Sequence, residues 1–376
     1  MKICFLIRAL HLGGAEQQLI MLAKRLRKRG HDVVVVLFYP GGPLEGKLQN
    51  AGIRIRQICK RGRWDLLPFF VRLTHAVREE NPDILHAYLT DPNIVSVFLK
   101  PMLPRGKIVW GVRSSGMEIY RYGWFAGLSF KVSCWLARFA DAIIANSYSG
   151  CAYHVAMGYP EKKSYVIPNG IDIDRFRPDP EMRKLVRAEW GVTEDQTLIG
   201  LVARLDPMKD HGNFLNAAAL LKQRREYFRF VCVGRGVDAR YRDSLHDLAE
   251  KLQISKYIIW VDLTMDISRI YCALDLLVSS SAYGEGISNV IGEAMASGVP
   301  CVATDVGDSS WLVGDLGEVV PRKNSIALAD AIQRMAERKL HEPARIRQRI
   351  ADQLSVDCLV ENTEQVLSEL LTSRRS

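Results

Sequence analysis

No two cysteines of this 376-residue chain stand at C-x-x-C spacing, and no apolar run reaches membrane-spanning length. Low-complexity segments and short-period repeats are also missing. The eight cysteines, Cys4, Cys59, Cys134, Cys151, Cys232, Cys272, Cys301 and Cys358, show no zinc-like spacing and read as reduced, mostly buried thiols of a cytosolic protein. The N-terminal apolar stretch, residues 3–7, is short and runs into Arg8 rather than a small-residue cleavage site, which makes it a strand and not a signal peptide. With 48% hydrophobic and 25% charged residues, the chain has an ordinary globular composition. Its length exceeds one core, so two domains are expected.

Acidic residues are scarce in one half only. Residues 1–170 carry 24 Lys and Arg against 11 Asp and Glu, whereas residues 171–376 carry 27 against 31. One-sided charge of this kind marks either a solvated surface or an anionic partner. A basic recognition helix is lacking, so nucleic acid is not that partner. The cluster Lys24, Arg25, Arg27, Lys28 and Arg29 ends a predicted helix, where cations also suit the helix dipole.

Apolar strands alternate with helical segments throughout. "KICFLI", "HDVVVVLFY", "PDILHAYL", "KIVWGVRS" and "DAIIANS" are expected strands of the first half, with a helix near 66–80. "TLIGLVARL", "FRFVCVG", "YIIWVDL", "LDLLVSSS" and "PCVATDVG" repeat the pattern in the second, with helices near 212–225 and 239–252. The Pro-, Gly- and Asp-rich stretch 166–180, "VIPNGIDIDRFRPDP", is the expected linker. The predicted architecture is α/β, two doubly wound Rossmann-like domains facing across a cleft, with ligands at the carboxyl ends of the strands.

Several motifs fall at those ends. "RALHLGGAEQQL" is neither the GxGxxG fingerprint nor a phosphate loop, but Gly13 and Gly14 let backbone N–H groups approach an anion at a helix start. "ARLDPMKD" places Arg204 and Lys209 around a proline turn, suited to phosphate oxygens. In "AYGEGISNVIGEAMASG", Glu285 sits in a glycine-flanked turn and Ser288 is a candidate cap of a helix running to Gly298. The N–H groups of Gly286, Ile287, Ser288 and Asn289 then form a second anion site. Glu293, bracketed by Val290, Ile291, Ala294 and Met295, is placed to accept from paired ribose hydroxyls.

Taken together, "GGAE", "VIPNGID", "RLDPMKD" and the E-x7-E segment followed by "AMASGVPCVATDVG" resemble the retaining glycosyltransferases of family 4, which have the GT-B fold. The resemblance covers essentially the whole chain. It implies a metal-independent enzyme without cofactor that moves a sugar from a nucleotide diphosphate donor to an acceptor hydroxyl with retention. The N-terminal domain, 1–170, would bind the acceptor, with a C-terminal helix near 355–372 able to pack back on it, and 171–376 would bind the nucleotide sugar. By the same resemblance Arg204 and Lys209 neutralise the diphosphate, Glu285 contacts the sugar, residues 286–289 donate backbone hydrogen bonds, Glu293 holds the ribose and Gly14 approaches the diphosphate. Gly234, Gly236 and Leu263 match base-binding loops. Two positions depart from the family: Ala203 replaces a glycine, and Arg113 stands where many members carry a histidine, leaving His86 either as the nearest alternative polar group or as a structural histidine.

The implied setting is surface polysaccharide, lipopolysaccharide or glycolipid synthesis, with a glycan or lipid-linked acceptor at the cytoplasmic face of the cell membrane. The alternatives are a GT-B epimerase of nucleotide sugars and an inactive interaction protein that keeps the fold. Phe125, Leu128, Val132, Trp135, Leu136 and Phe139 follow helical spacing, and the deeper of them are expected in the core. Tyr120, Arg121, Tyr122, Trp124 and Phe125, with "CKRGRW" at 59–64, mix rings and cations as an anionic membrane surface requires.

Overall fold

The structure is a computed structural model that describes residues 1–62, 64–113, 124–236, 238–262, 266–338 and 342–372. The chain forms two compact units, one of residues 1–170 with 356–376 and one of residues 171–355.

In the first unit, β1 (Lys2–Ile7), β2 (Asp32–Leu37), β3 (Arg54–Gln57), β4 (Ile84–Tyr88), β5 (Lys107–Val112), β6 (Ala142–Ala145) and β7 (Ser164–Val166) build a parallel sheet in the order β3-β2-β1-β4-β5-β6-β7. In the second, β8 (Thr197–Val202), β9 (Phe228–Val233), β10 (Ile258–Val261), β11 (Leu276–Ser279), β12 (Cys301–Thr304) and β13 (Glu318–Val320) are ordered β10-β9-β8-β11-β12-β13, again parallel. Interior strands such as "VVVVL" are apolar without alternation because helices cover both faces. Each sheet reverses its winding once, between β1 and β4 and between β8 and β11. At such a switch point adjacent loops diverge and leave room for a ligand.

On one face of the first sheet, Ile3, Phe5 and Ile7 pack against the helices Gly14–Lys28 and Val356–Thr372. On the other, Cys4, Leu6, Leu85 and Ala87 lie under Phe69, Leu73 and Val77 of the helix Leu66–Glu80. Pairing of Leu85 with Ile108 and Ala87 with Trp110 continues that second face to the helices Thr90–Phe98 and Trp124–Leu136. The final helix is tied to the first one by charge as well. Arg29 reaches Glu364 at 2.5 Å and Glu361 at 3.1 Å, and His31 Nε2 lies 2.6 Å from Glu364. Part of the basic cluster at 24–29 is therefore structural.

Two expectations are corrected. The deeper part of the apolar stripe is core only at Leu136: Leu128, Val132, Trp135 and Phe139 are exposed, and so, as expected, is Phe125 at its start. The helix is apolar on both sides, so its buried face is supplied instead by Phe130, Ser133 and Leu136. Tyr120, Arg121 and Tyr122 lie outside the described residues. The cysteines are free, but only Cys4, Cys232 and Cys301 are buried; Cys59 is exposed and the others are half-buried. No helix among the described residues is long and apolar enough to cross a membrane.

Candidate active site

The loop that follows β8 carries Arg204 and Lys209 and is fixed by its own side chains. Asp206 accepts the Met208 N–H at 2.9 Å and opens the short turn Pro207–Lys209, where proline supplies the required φ. Asp210 adopts a left-handed φ of 48° and caps the helix His211–Arg224 through the Asn213 N–H at 3.1 Å. The segment after β11 holds the loop from the other side, with Ser280 Oγ donating to the Lys209 carbonyl at 2.8 Å and Ala282 N–H to the Met208 carbonyl at 2.8 Å. Both loops of the switch point are thus one hydrogen-bonded body.

Within that body Lys209 Nζ forms an ion pair with Glu285 Oε1, and Ser281 Oγ donates to the same oxygen at 2.7 Å. Glu285 is buried. Its Oε2 takes no bond from any described residue. Arg204 is more open, with 57% of its side chain exposed and an ion pair of 2.8 Å to Asp206.

Beyond Glu285 the helix Asn289–Ala296 begins. Ser288 occupies the cap position but makes no capping hydrogen bond, which corrects that expectation, whereas the helix ends as expected at Gly298, which follows the cap residue Ser297 with a left-handed φ of 78°. The N–H groups of Gly286, Ile287 and Ser288 take no partner among the described residues. An uncapped start aims these donors and the positive helix end at whatever binds beside Glu285. Gly307, with φ of 62°, closes the turn from behind; a Cβ there would lie 2.4 Å from the carbonyl oxygens of both Glu285 and Gly286.

Glu293, one turn into the helix, accepts from the Tyr271 hydroxyl at 2.7 Å. Burial pushes its carboxyl up to about 7, against the lowering by Tyr271 and Arg175. Gly234, with φ of 151°, packs directly on the Ala203 carbonyl, and Leu205 N–H donates to the Arg235 carbonyl at 3.2 Å, so the "GRG" turn with Gly236 lies against the Arg204 loop. Leu263 lies outside the described residues.

In the first unit, Gly13 starts the helix Gly14–Lys28 with extended backbone and no side-chain cap. The Glu16 carboxylate folds back over it, so close that a Cβ on Gly13 would lie 2.2 Å from Oε2. An anion approaching Gly13 and Gly14 therefore meets a carboxylate, which would have to turn away first. Arg113, past the end of β5, donates to the Tyr88 hydroxyl at 2.7 Å, lies 4.5 Å from the Tyr88 ring centroid and reaches Asn169 Oδ1 at 3.4 Å. Of the two readings of His86, the structure bears out the structural one. The residue pairs in register with Phe5, is fully buried between the Phe5 and Tyr88 rings, and neither ring nitrogen has a partner among the described residues. Burial, then the charge of Arg113, hold it well below the usual imidazole value. It is a neutral core side chain.

Residues 12–175 match the family described as Glycosyltransferase Family 4, and residues 196–338 match Glycosyl transferases group 1. The chain is a group 1 glycosyltransferase with the GT-B fold. It is 26% identical over 335 residues to a phosphatidyl-myo-inositol mannosyltransferase of Mycobacterium leprae, covering 85% of this chain and 83% of that one. A GDP-mannose-dependent alpha-mannosyltransferase of Mycobacterium tuberculosis is 24% identical over 333 residues, with 80% and 78% covered. HepE of Anabaena, solved in complex with UDP, superposes with a TM-score of 0.87 at 25% identity over 98% of this chain and 100% of that one.

Two residues of this glycosyltransferase's site escape sequence reading. Ser281 stands four positions before Glu285 in "SSSAYGE", a nearness that hints at the contact. Tyr271 leaves no sequence signal, because 22 positions separate it from Glu293 and only the fold brings them together.

The Glu293 carboxyl has a consequence for stability. Between its ordinary value of 4.5 and about 7 the folded protein holds a proton that the unfolded chain has released, so stability falls as pH rises through that window. Glu293→Gln, which keeps an acceptor for Tyr271, is expected to flatten this fall and to raise ligand-free stability above neutral pH by roughly 1–3 kcal/mol. Urea unfolding at a series of pH values measures it; parallel wild-type and variant profiles would assign the pH dependence elsewhere.

Proposed function

We propose that this glycosyltransferase transfers a sugar from a nucleotide diphosphate donor to an acceptor hydroxyl with retention of configuration and without a metal. The observation that carries the reading is the group at the second switch point: Lys209 paired with Glu285 Oε1, beside the N–H groups of Gly286, Ile287 and Ser288. Loss of the diphosphate develops negative charge on the leaving group and positive charge at the anomeric carbon. Lys209, Arg204 and the helix start stabilise the first, and the Glu285 carboxylate lies beside the second. Glu285 Oε2 is the oxygen left for a sugar hydroxyl, and Glu293 the acceptor for the ribose. HepE, solved with UDP and also with UDP-glucose, supports the donor class.

In retaining transfer by front-face attack the anomeric C–O bond to phosphate breaks, the acceptor oxygen bonds to carbon, and the acceptor proton passes to the leaving phosphate. No enzymic nucleophile is demanded, and neither Glu285 nor Glu293 is cast as one. Arg113, held by Tyr88 and Asn169, contributes a fixed charge toward donor phosphate or acceptor and does not shuttle a proton. The acceptor class we favour is a glycan or lipid-linked glycan, as in the synthesis of surface polysaccharide, lipopolysaccharide or glycolipid. Retention of Arg204, Lys209 and Glu285 speaks against an inactive protein of the same fold.

A screen of UDP-, GDP- and ADP-sugars for thermal protection tests the donor. One of them at a hundredfold excess over its Kd is expected to stabilise the protein by about 2.7 kcal/mol. If none protects the folded protein, the donor assignment is lost. With the donor in hand, turnover is expected to persist in excess chelator, since the protein's own cations do the neutralising; strict dependence on magnesium would contradict that part of the reading.

A further inference from the structure

The two oxygens of the Glu293 carboxylate face different surroundings. Oε2 accepts from the Tyr271 hydroxyl at 2.7 Å, and Tyr271 is fully buried. Oε1 takes no bond from any described residue and is not sealed in, since Glu293 as a whole is half-buried. Tyr271 has little freedom to turn its hydroxyl elsewhere. It stands on the helix Ser268–Ala273 with its ring edge-on to Phe176, centroids 5.8 Å apart.

The backbone under Glu293 is fixed as well. Gly292 packs so close to Ile171 that a Cβ on the glycine would lie 2.9 Å from Ile171 Cδ1. Arg347, on the helix Pro343–Leu354, donates to the carbonyls of Phe176 at 2.7 Å, Ile173 at 2.7 Å and Ala296 at 2.6 Å, and so joins the segment 171–176 to the end of the Glu293 helix. With the helix held, the aim of the carboxylate is left to its own side-chain torsions, and the bond to Tyr271 settles them.

We infer that Tyr271 is a positioning residue that makes this carboxylate read a single ribose hydroxyl: it occupies Oε2 and leaves Oε1 as the acceptor. The inference rests on the ribose role proposed for Glu293 above and deepens it. A carboxylate free to swing takes both neighbouring hydroxyls, one on each oxygen, and loses a similar amount whichever is missing. A carboxylate tied at Oε2 meets one of them directly, so nucleotides lacking the 2′- and the 3′-hydroxyl are bound unequally. A pair that served the core alone would change stability and leave that inequality untouched.

The same contact ties nucleotide binding to a proton. A hydroxyl donated to Oε1 favours the ionised carboxyl, so affinity falls as pH drops through the value at which the ligand-free group takes up its proton. Burial pushes that value up to about 7, against Tyr271 and, from the segment 171–176, Arg175. Without the Tyr271 hydroxyl the carboxyl rises further, and the fall in affinity begins at higher pH.

Calorimetric titration of UDP, GDP and ADP, each beside its 2′-deoxy and 3′-deoxy forms, into wild type and Tyr271→Phe decides the matter. The substitution keeps the ring against Phe176, and a thermal melt of each protein verifies its fold. For the parent nucleotide that binds, wild type is expected to hold one deoxy form about tenfold to a hundredfold more weakly and the other within about threefold. In Tyr271→Phe the two deoxy forms should differ by less than about threefold, and the loss of affinity on acidification should start at higher pH. Equal weakening of the two deoxy forms in wild type overturns the inference without recourse to the variant. Unequal binding that survives unchanged in Tyr271→Phe also overturns it, and leaves the ribose role of Glu293 standing. Wild-type binding that ignores both hydroxyls, or failure of all three parent nucleotides to bind, removes the ribose role and the inference with it.

Discussion

Lys209→Ala is expected to lower kcat by about a thousandfold, in the range seen when a preorganised charge aimed at a leaving group is removed. Its ammonium is the cation bound to Glu285 at the switch point, where Ser281 shares the carboxylate oxygen. Removing it has a second effect that a purely catalytic role lacks. The buried Glu285 carboxylate keeps only the serine hydroxyl, which costs roughly 1–3 kcal/mol of ligand-free stability. Adding Glu285→Gln to Lys209→Ala should recover that stability and none of the turnover. Steady-state kinetics with the donor from the screen, set beside urea unfolding, separates the two effects. A kcat within a few-fold of wild type for the single variant would take the diphosphate role from Lys209.

Gly307→Ala is the second large effect, and it acts through the backbone. The new methyl would meet the carbonyl oxygens of Glu285 and Gly286 at 2.4 Å, and the φ of 62° is unfavourable to any side chain. We expect a loss of about 2–4 kcal/mol in stability, and a fall in both kcat and donor affinity as the turn carrying Glu285 is pushed aside. Gly30→Ala supplies the control. Its φ is 88°, yet nothing lies within 4 Å of a Cβ there, so only the backbone penalty of about 1–2 kcal/mol applies. Equal losses in the two variants would mean that the close approach behind Glu285 has no energetic weight.

Interior strands are legible in the sequence because a strand covered on both faces is apolar throughout, as in "KICFLI" and "VVVVL". The strands that escape such reading, "RIRQ", "SYV" and "EVV", lie at sheet edges and are short. In "RIRQ" the side chains serve the edge itself, with Arg54 and Arg56 bonded to Glu80. The loops bearing Arg204, Lys209 and Glu285 are readable from their glycine, proline and charge pattern. The pairing of Lys209 with Glu285 is not, since 76 positions separate them. Helical spacing shows that residues 125 to 139 share a side, but it cannot tell which side is buried when both are apolar. The same limit hides His86: a strand-end histidine and one in register with a core phenylalanine look alike until pairing is known.

The helix Val356–Thr372 gives this glycosyltransferase an order of assembly on the ribosome. Val356, Leu359, Val360, Val366 and Leu367 complete the core formed by Ile3, Phe5, Leu19 and Leu26, and the chain reaches them only after the whole of residues 171–355 has been made. At ~5–20 residues per second, that is roughly 10–40 s after Gly170 is joined. For that interval the nascent first unit exposes the part of its sheet and of the helix Gly14–Lys28 that the final helix will cover. A fragment ending at Gly170 is therefore an incomplete folding unit, and a stop codon before Val356 would leave the second unit whole while opening the first.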